Sequence, residues 1–294
     1  MTSRLSWIAS PVSKRPVLPP SRGPHQTDLR ERATLALRMQ NFAEAERLAA
    51  EVLKASRNDI VATWVLGRAL LAQNRAAEAI LPLDKAARRT SDPGIETLLG
   101  AALGESGRRT EAVEQLRRTA ARRPPFLPAF QELAGQLAKD RRLDEAIAVI
   151  GNALALAPES IDLQLDLARL HLERNTRGEA RAILVKAHEA APGRPDISTL
   201  LARVLRQDGD YATAAEMYRL ALALRPDDAM ARADLAACLF ELGEREAGEA
   251  SLRSALRGRP RMLAQVAYTL VHSSHGRFFF RPSALKKFLQ SEVP

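Results

Sequence analysis

Apolar side chains recur along this chain on a fixed beat. Leucine occupies positions 66, 99, 133, 167, 201 and 235, a small residue follows each of them, and a further leucine stands four places on at Leu70, Leu103, Leu137, Leu205 and Leu239. Spacings of four and one put these residues on one face of a helix. A second stripe follows in each interval, with Leu83, Leu116, Ile150, Leu184, Tyr218 and Leu252 on a second helix. The pattern predicts alternating amphipathic helices, two per interval, and a composition rich in alanine and leucine with few aromatics argues against strands.

Small residues keep the same beat. Ala45, Ala79, Ala112, Ala146, Ala180, Ala214 and Gly248 recur every 33 or 34 residues, and Ala33, Gly67, Gly100, Ala134, Ala168, Ala202 and Ala236 recur twelve positions earlier. Smallness twice per interval is what two helices need in order to cross closely. Each interval is therefore a helix pair, and the pairs form repeats 26–59, 60–92, 93–126, 127–160, 161–194, 195–228 and 229–262 that stack on their neighbours. Proline closes five of them, at Pro124, Pro158, Pro192, Pro226 and Pro260, where a residue without an N–H ends the second helix. Pro82 falls inside a second helix instead, and a kink is expected there.

With leucine at repeat position 7, glycine or alanine at 8, alanine at 20 and proline at 32, the chain resembles the tetratricopeptide repeat family over residues 26–262. The resemblance implies an all-α fold, a right-handed α-solenoid of about seven helix pairs, whose first helices line a concave groove that binds peptides or helices of other proteins. It also implies which residues face the groove: Trp64 and Arg68 in repeat 2, Thr97 in repeat 3, Gln131 in repeat 4, Leu165 and Arg169 in repeat 5, and Arg203 and Arg206 in repeat 6. Small side chains floor repeats 3 and 4, while Trp64 and the arginines are of the types enriched at binding hot spots. The family's aromatic at position 4 survives only as Phe130, and the residues with which some members clamp a terminal carboxylate are missing. Repeat 1, with Arg32 in place of leucine, reads as a terminal cap.

The segments flanking the array differ from it. Residues 1–25 are basic and proline-rich with few apolar groups, the composition of a disordered arm. Residues 263–294 predict capping helices, one through Leu263, Val266, Leu270 and Val271 and a short one opened by Pro282 and carrying Leu285, Phe288 and Leu289. Four of the eight phenylalanines lie here, as Phe278, Phe279, Phe280 and Phe288, so the segment must cover apolar surface. The covered surface is either the open end of repeat 7 or another protein, a second copy included.

Composition removes several function classes. The net charge is +9, but the two tails supply seven of those charges, so the array lacks the continuous positive field that nucleic acid requires. A lone cysteine, Cys238, excludes an intramolecular disulfide and a multi-thiolate metal site and reads as a buried thiol. His272 and His275 lack the further ligands that would close a zinc site. Neither a secretory leader nor an apolar run of membrane-spanning length is present, so the expected compartment is the cytoplasm. Arginine outnumbers lysine 37 to 7, a bias expected of a GC-rich bacterial genome. No nucleophile, phosphate loop or metal-binding motif stands out. The expectation is a non-enzymatic scaffold without a cofactor, binding one or more proteins; the alternative is a recruiting or regulatory partner of a separately encoded glycosyl- or sulfotransferase.

Overall fold

A computed structural model describes residues 24–257, 259–277, 279 and 281–290. The predicted arm, residues 1–23, and Phe278 and Phe280 lie outside the described residues. All regular structure among the described residues is helical, in two compact bodies that divide between residues 98 and 99 of the sequence.

The N-terminal body holds α1 (Pro24–Arg38), α2 (Phe42–Ala55), α3 (Ile60–Ala72), α4 (Ala76–Thr90) and the start of α5 (Pro93–Glu105). Its core joins Leu29, Ala33, Ala45, Leu48, Ala49, Val52, Ala62, Val65 and Ala69, with Trp64 and Leu66 packed against it. The starts of α2 and α3 are set by side-chain caps: Asn41 accepts from the Glu44 N–H and Asp59 from the Ala62 N–H at 3.0 Å. Helix α4 runs through Pro82 from Ala76 to Thr90.

The C-terminal body continues with α6 (Arg109–Ala120), α7 (Leu127–Lys139), α8 (Leu143–Leu156), α9 (Ile161–Glu173), α10 (Arg177–Ala190), α11 (Pro195–Gln207), α12 (Tyr211–Leu224), α13 (Ala229–Glu241) and α14 (Arg245–Leu256). A 3-10 turn at Pro260–Met262 leads into α15 (Leu263–His272) and α16 (Pro282–Gln290). Consecutive helices pack as pairs, and α15 and α16 fold back on α14. Phe240, Leu252, Val266, Leu270 and Leu289 meet in one core there, with Phe279, Leu285 and Phe288 packed on it, so the segment caps the last pair.

The small-residue beat is the packing rule of both bodies. Every one of those alanines and glycines is buried. Opposite them on the second helices, Leu83, Leu116, Ile150, Leu184, Tyr218 and Leu252 are all fully buried. At Gly67 an added Cβ would stand 2.9 Å from Cδ2 of both Leu83 and Leu98, and at Gly100 it would stand 2.5 Å from Cγ of Leu116. These distances are shorter than side chains tolerate, so the leucines occupy the space that a larger residue would need.

A third periodic feature joins the two helices of each pair. Gln40, Asn74, Gly107, Arg141, Asn175, Gly209 and Gly243 all have positive φ, between 59° and 90°. After each one, the next N–H donates to the carbonyl five residues back, from Asn41 to Ala36 through Glu244 to Leu239, at 2.8 to 3.0 Å. This is the Schellman ending, which satisfies a free carbonyl of the first helix and reverses the chain. A left-handed conformation costs a non-glycine residue about 1–2 kcal/mol.

Two substitutions test these rules by urea denaturation. Gly100→Ala lowers stability by about 1–2 kcal/mol, since overpacking against Leu116 outweighs the better helix propensity of alanine. Arg141→Gly raises it by about 0.5–1 kcal/mol, the left-handed penalty less the extra freedom of glycine in the unfolded chain.

Candidate functional site

The first helices of the repeats carry the predicted groove positions. In the N-terminal body, Trp64 on α3 is half-buried against the core, and the Arg68 guanidinium stands 5.9 Å from its ring centroid, at the outer reach of a cation–π contact. Val61, one turn earlier, is exposed. Thr97 corrects the sequence expectation: it is 2% exposed and its hydroxyl donates to the Pro93 carbonyl at 2.7 Å, so it offers no surface. Its side chain is satisfied by its own helix turn.

In the C-terminal body, α7, α9, α11 and α13 carry the corresponding positions. Gln131 on α7 donates through Nε2 to Oδ2 of Asp166 on α9 at 2.6 Å. Arg169, one turn along α9, donates to the other oxygen, Oδ1, at 3.2 Å while its side chain stays exposed. Arg206 on α11 approaches Asp234 on α13 at 3.8 Å, and Arg203 is exposed. Leu165 is the second correction: at 1% exposure it belongs to the core with Ile197, Leu200 and Leu201, where an apolar side chain packs instead of facing water.

Sequence reasoning missed the acidic half of this face. Asp166 and Asp234 share repeat position 6, which the family-based assignment of groove positions passed over. The available signal was a carboxylate placed next to the leucine of position 7 on an otherwise apolar face. Burial raises the pKa of both carboxyls, against the hydrogen bond from Gln131 and the charge of Arg169 at Asp166, and against the charges of Arg206 and Arg203 at Asp234. The Tyr218 hydroxyl is fully buried close to Arg206 and Asp234. Burial also raises the Tyr218 pKa and pushes the Cys238 thiol up to about 12, so neither ionises at neutral pH. The cluster has fixed charges on its outside and neutral groups inside.

The cap is the other predicted contact region. The Phe288 ring lies 4.5 Å from the Arg253 guanidinium and 4.9 Å from that of Arg277, and 5.2 Å from the Phe279 ring. Buried Glu249 binds Arg277 and lies 3.4 Å from Arg245 and 3.5 Å from Arg253. Phe279 and Phe288 are thus engaged in covering the last helix pair. On the outward side of α15, Tyr268 is exposed and stacks on His272 at 4.0 Å. His272 and His275 meet the carbonyls of Tyr268 and Phe240 through Nδ1, and among the described residues no three metal-ligating side chains converge. No helix of the described residues is long and apolar enough to cross a membrane.

Helix pairs on a 34-residue beat, crossing through alanine and glycine, define an all-α repeat protein. Family models described as tetratricopeptide repeat match residues 30–94, 137–204 and 205–268, more than half of the chain. The chain belongs to the tetratricopeptide repeat family, whose repeats serve as protein-interaction scaffolds. Cellulose synthase operon protein C of Pseudomonas fluorescens is 32% identical over 123 residues, covering 42% of this chain, and the match spans only 10% of that protein. Among solved structures, Pseudomonas aeruginosa pilF superposes with a TM-score of 0.58 at 19% identity, over 70% of this chain and 95% of its own. Cut9 of the APC/C Cut9–Hcn1 hetero-tetramer gives 0.57 at 17%, over 80% of this chain and 47% of that one. Both show the same fold.

The raised Asp234 pKa has a testable sign. A carboxyl whose folded pKa lies above its unfolded value favours the folded state most when protonated, and that contribution is lost as pH rises through the folded value. Urea denaturation from pH 3.5 to 7.5 is therefore expected to show wild type losing stability relative to Asp234→Asn as pH rises. A stability difference independent of pH would show that Asp234 titrates as an ordinary carboxyl.

Proposed function

We propose that this chain is a non-catalytic scaffold that holds a polypeptide segment against the face of α7, α9, α11 and α13. The observation that carries the reading is the arrangement of charge there: exposed Arg169 and Arg203 stand over half-buried Asp166 and Asp234. Guanidinium groups in this setting can donate to backbone carbonyls or carboxylates of a partner. Alternating signs suit a peptide better than a uniform polyanion. Trp64 with Arg68 is a second contact point, on the N-terminal body.

Selection of a random displayed-peptide library on the full chain tests this. Selected peptides are expected to bind Arg169→Glu/Arg203→Glu at least 10-fold more weakly, and a photo-crosslinker at position 203 is expected to trap them while one at exposed Lys186 on α10 does not. Selected peptides that bind the double variant as well as wild type would remove this face from the account.

A second reading draws on the cellulose synthase operon relative. We infer that a chain sharing repeats with such a protein can serve a separately encoded polymerising transferase as a recruiting partner. A transferase in a neighbouring reading frame that co-purifies with this chain would favour that reading.

A further inference from the structure

We propose that a polar cavity between the end of α14 and the turn joining α12 to α13 is a binding site for a compact phosphate-type oxyanion. The cavity measures about 450 Å³ and is lined by Pro226, Asp227, Arg232, Ser254, Arg257 and Arg259. Three guanidinium groups face it against one carboxylate. That carboxylate is poorly placed to neutralise them, because the Asp227 side chain is fully exposed and approaches only Arg259, at 3.6 Å.

Two of the arginines are held by neutral backbone carbonyls. Arg232 donates through Nη2 to the Pro226 carbonyl at 2.5 Å, and Arg259 through Nη2 to the Asp227 carbonyl at 3.0 Å. A neutral carbonyl fixes the orientation of a guanidinium and consumes one of its five N–H donors, leaving the charge and the other donors for a ligand. Arg257 is exposed and has no ion pair among the described residues. Many arginines elsewhere on the array pair with a carboxylate one turn away or in the adjoining repeat, as Arg75 does with Glu78 and Glu46 and Arg142 with Glu145. The Ser254 hydroxyl adds a neutral donor to the lining. Planar forks with orientation fixed by the protein match the oxygens of a phosphate, which accepts several short charge-assisted hydrogen bonds at once. The space is sufficient for a phosphate carried on a small molecule or on a side chain.

The site shares α13 with the proposed interaction face through Arg232, but Asp166, Arg169, Arg203 and Asp234 do not line it, so the two readings fail separately. Isothermal titration of the full chain with inorganic phosphate, against sodium chloride of equal ionic strength, is expected to show saturable binding. Arg257→Gln and Arg232→Gln are each expected to weaken it at least 10-fold, with Arg203→Gln binding as wild type. Because Arg257 makes no ion pair among the described residues, its variant keeps the test valid if Arg232→Gln fails to fold. A short phosphoserine peptide that binds more tightly than phosphate sustains the site and assigns its ligand to a modified protein; a peptide that binds no more tightly sustains it with a free anion as ligand. Absence of saturable phosphate binding, or equal weakening by Arg203→Gln, overturns the proposal.

Discussion

Close crossing of two helices, made possible by one small side chain on each, is the constraint on which the rest of this structure depends. Where the small residue is glycine, the space a Cβ would need is filled by a large apolar side chain from the neighbouring helix, Leu116 at Gly100 and Phe240 at Gly248. Protein interiors are packed densely enough that this contact fixes both separation and angle. Once a pair is fixed, its partner positions follow. The leucine stripe of the second helix is fully buried, and the first helices of successive repeats come close enough for Gln131 to reach Asp166 across the gap.

The period, the small residues and the leucine stripe were legible in the sequence because they are written in side-chain size and polarity. The left-handed residue between the two helices was not. Gly107, Gly209 and Gly243 would suggest a helix ending alone, yet Gln40 and Arg141 adopt the same conformation in the equivalent place. There the crossing of the two helices dictates backbone geometry, and local preference yields to it. The two misplaced groove residues have a related origin. Register carries a position from one repeat to another but not its depth, and at position 5 the same place holds half-buried Gln131 and fully buried Leu165. Asp166 and Asp234 escaped notice because a single acidic residue on an apolar stripe resembles a solvated neighbour until its burial is known.

Charge is distributed with economy across the described residues. Exposed pairs such as Arg47 with Glu44, or Arg108 with Glu111, are one turn apart and contribute little to stability in water. They keep an arginine-rich surface from acting as a uniform positive field. Against this background the places where arginine is oriented by something other than an exposed carboxylate alone stand apart. One is the cavity of Arg232, Arg257 and Arg259, where a backbone carbonyl orients Arg232 and another joins the exposed Asp227 carboxylate in orienting Arg259.

The cap and the candidate interaction face share a second way of orienting arginine. At the cap, buried Glu249 draws in Arg245, Arg253 and Arg277, and two of these guanidinium groups enclose Phe288. On the face, half-buried Asp166 and Asp234 stand under Arg169, Arg203 and Arg206. A sunken carboxylate anchors one edge of a guanidinium and leaves its plane and remaining donors directed outward. At the cap those outward groups are occupied by the aromatic ring of α16, so the arrangement fixes where that helix sits. On the face of α9 and α11 no segment of the described chain occupies them, and Arg169 and Arg203 remain exposed. The cap thus shows, within one molecule, the kind of contact that we propose for the open face: an aromatic or carbonyl-bearing segment seated on arginines already held in place. That correspondence favours a polypeptide as the occupant of the face, since α16 is itself one.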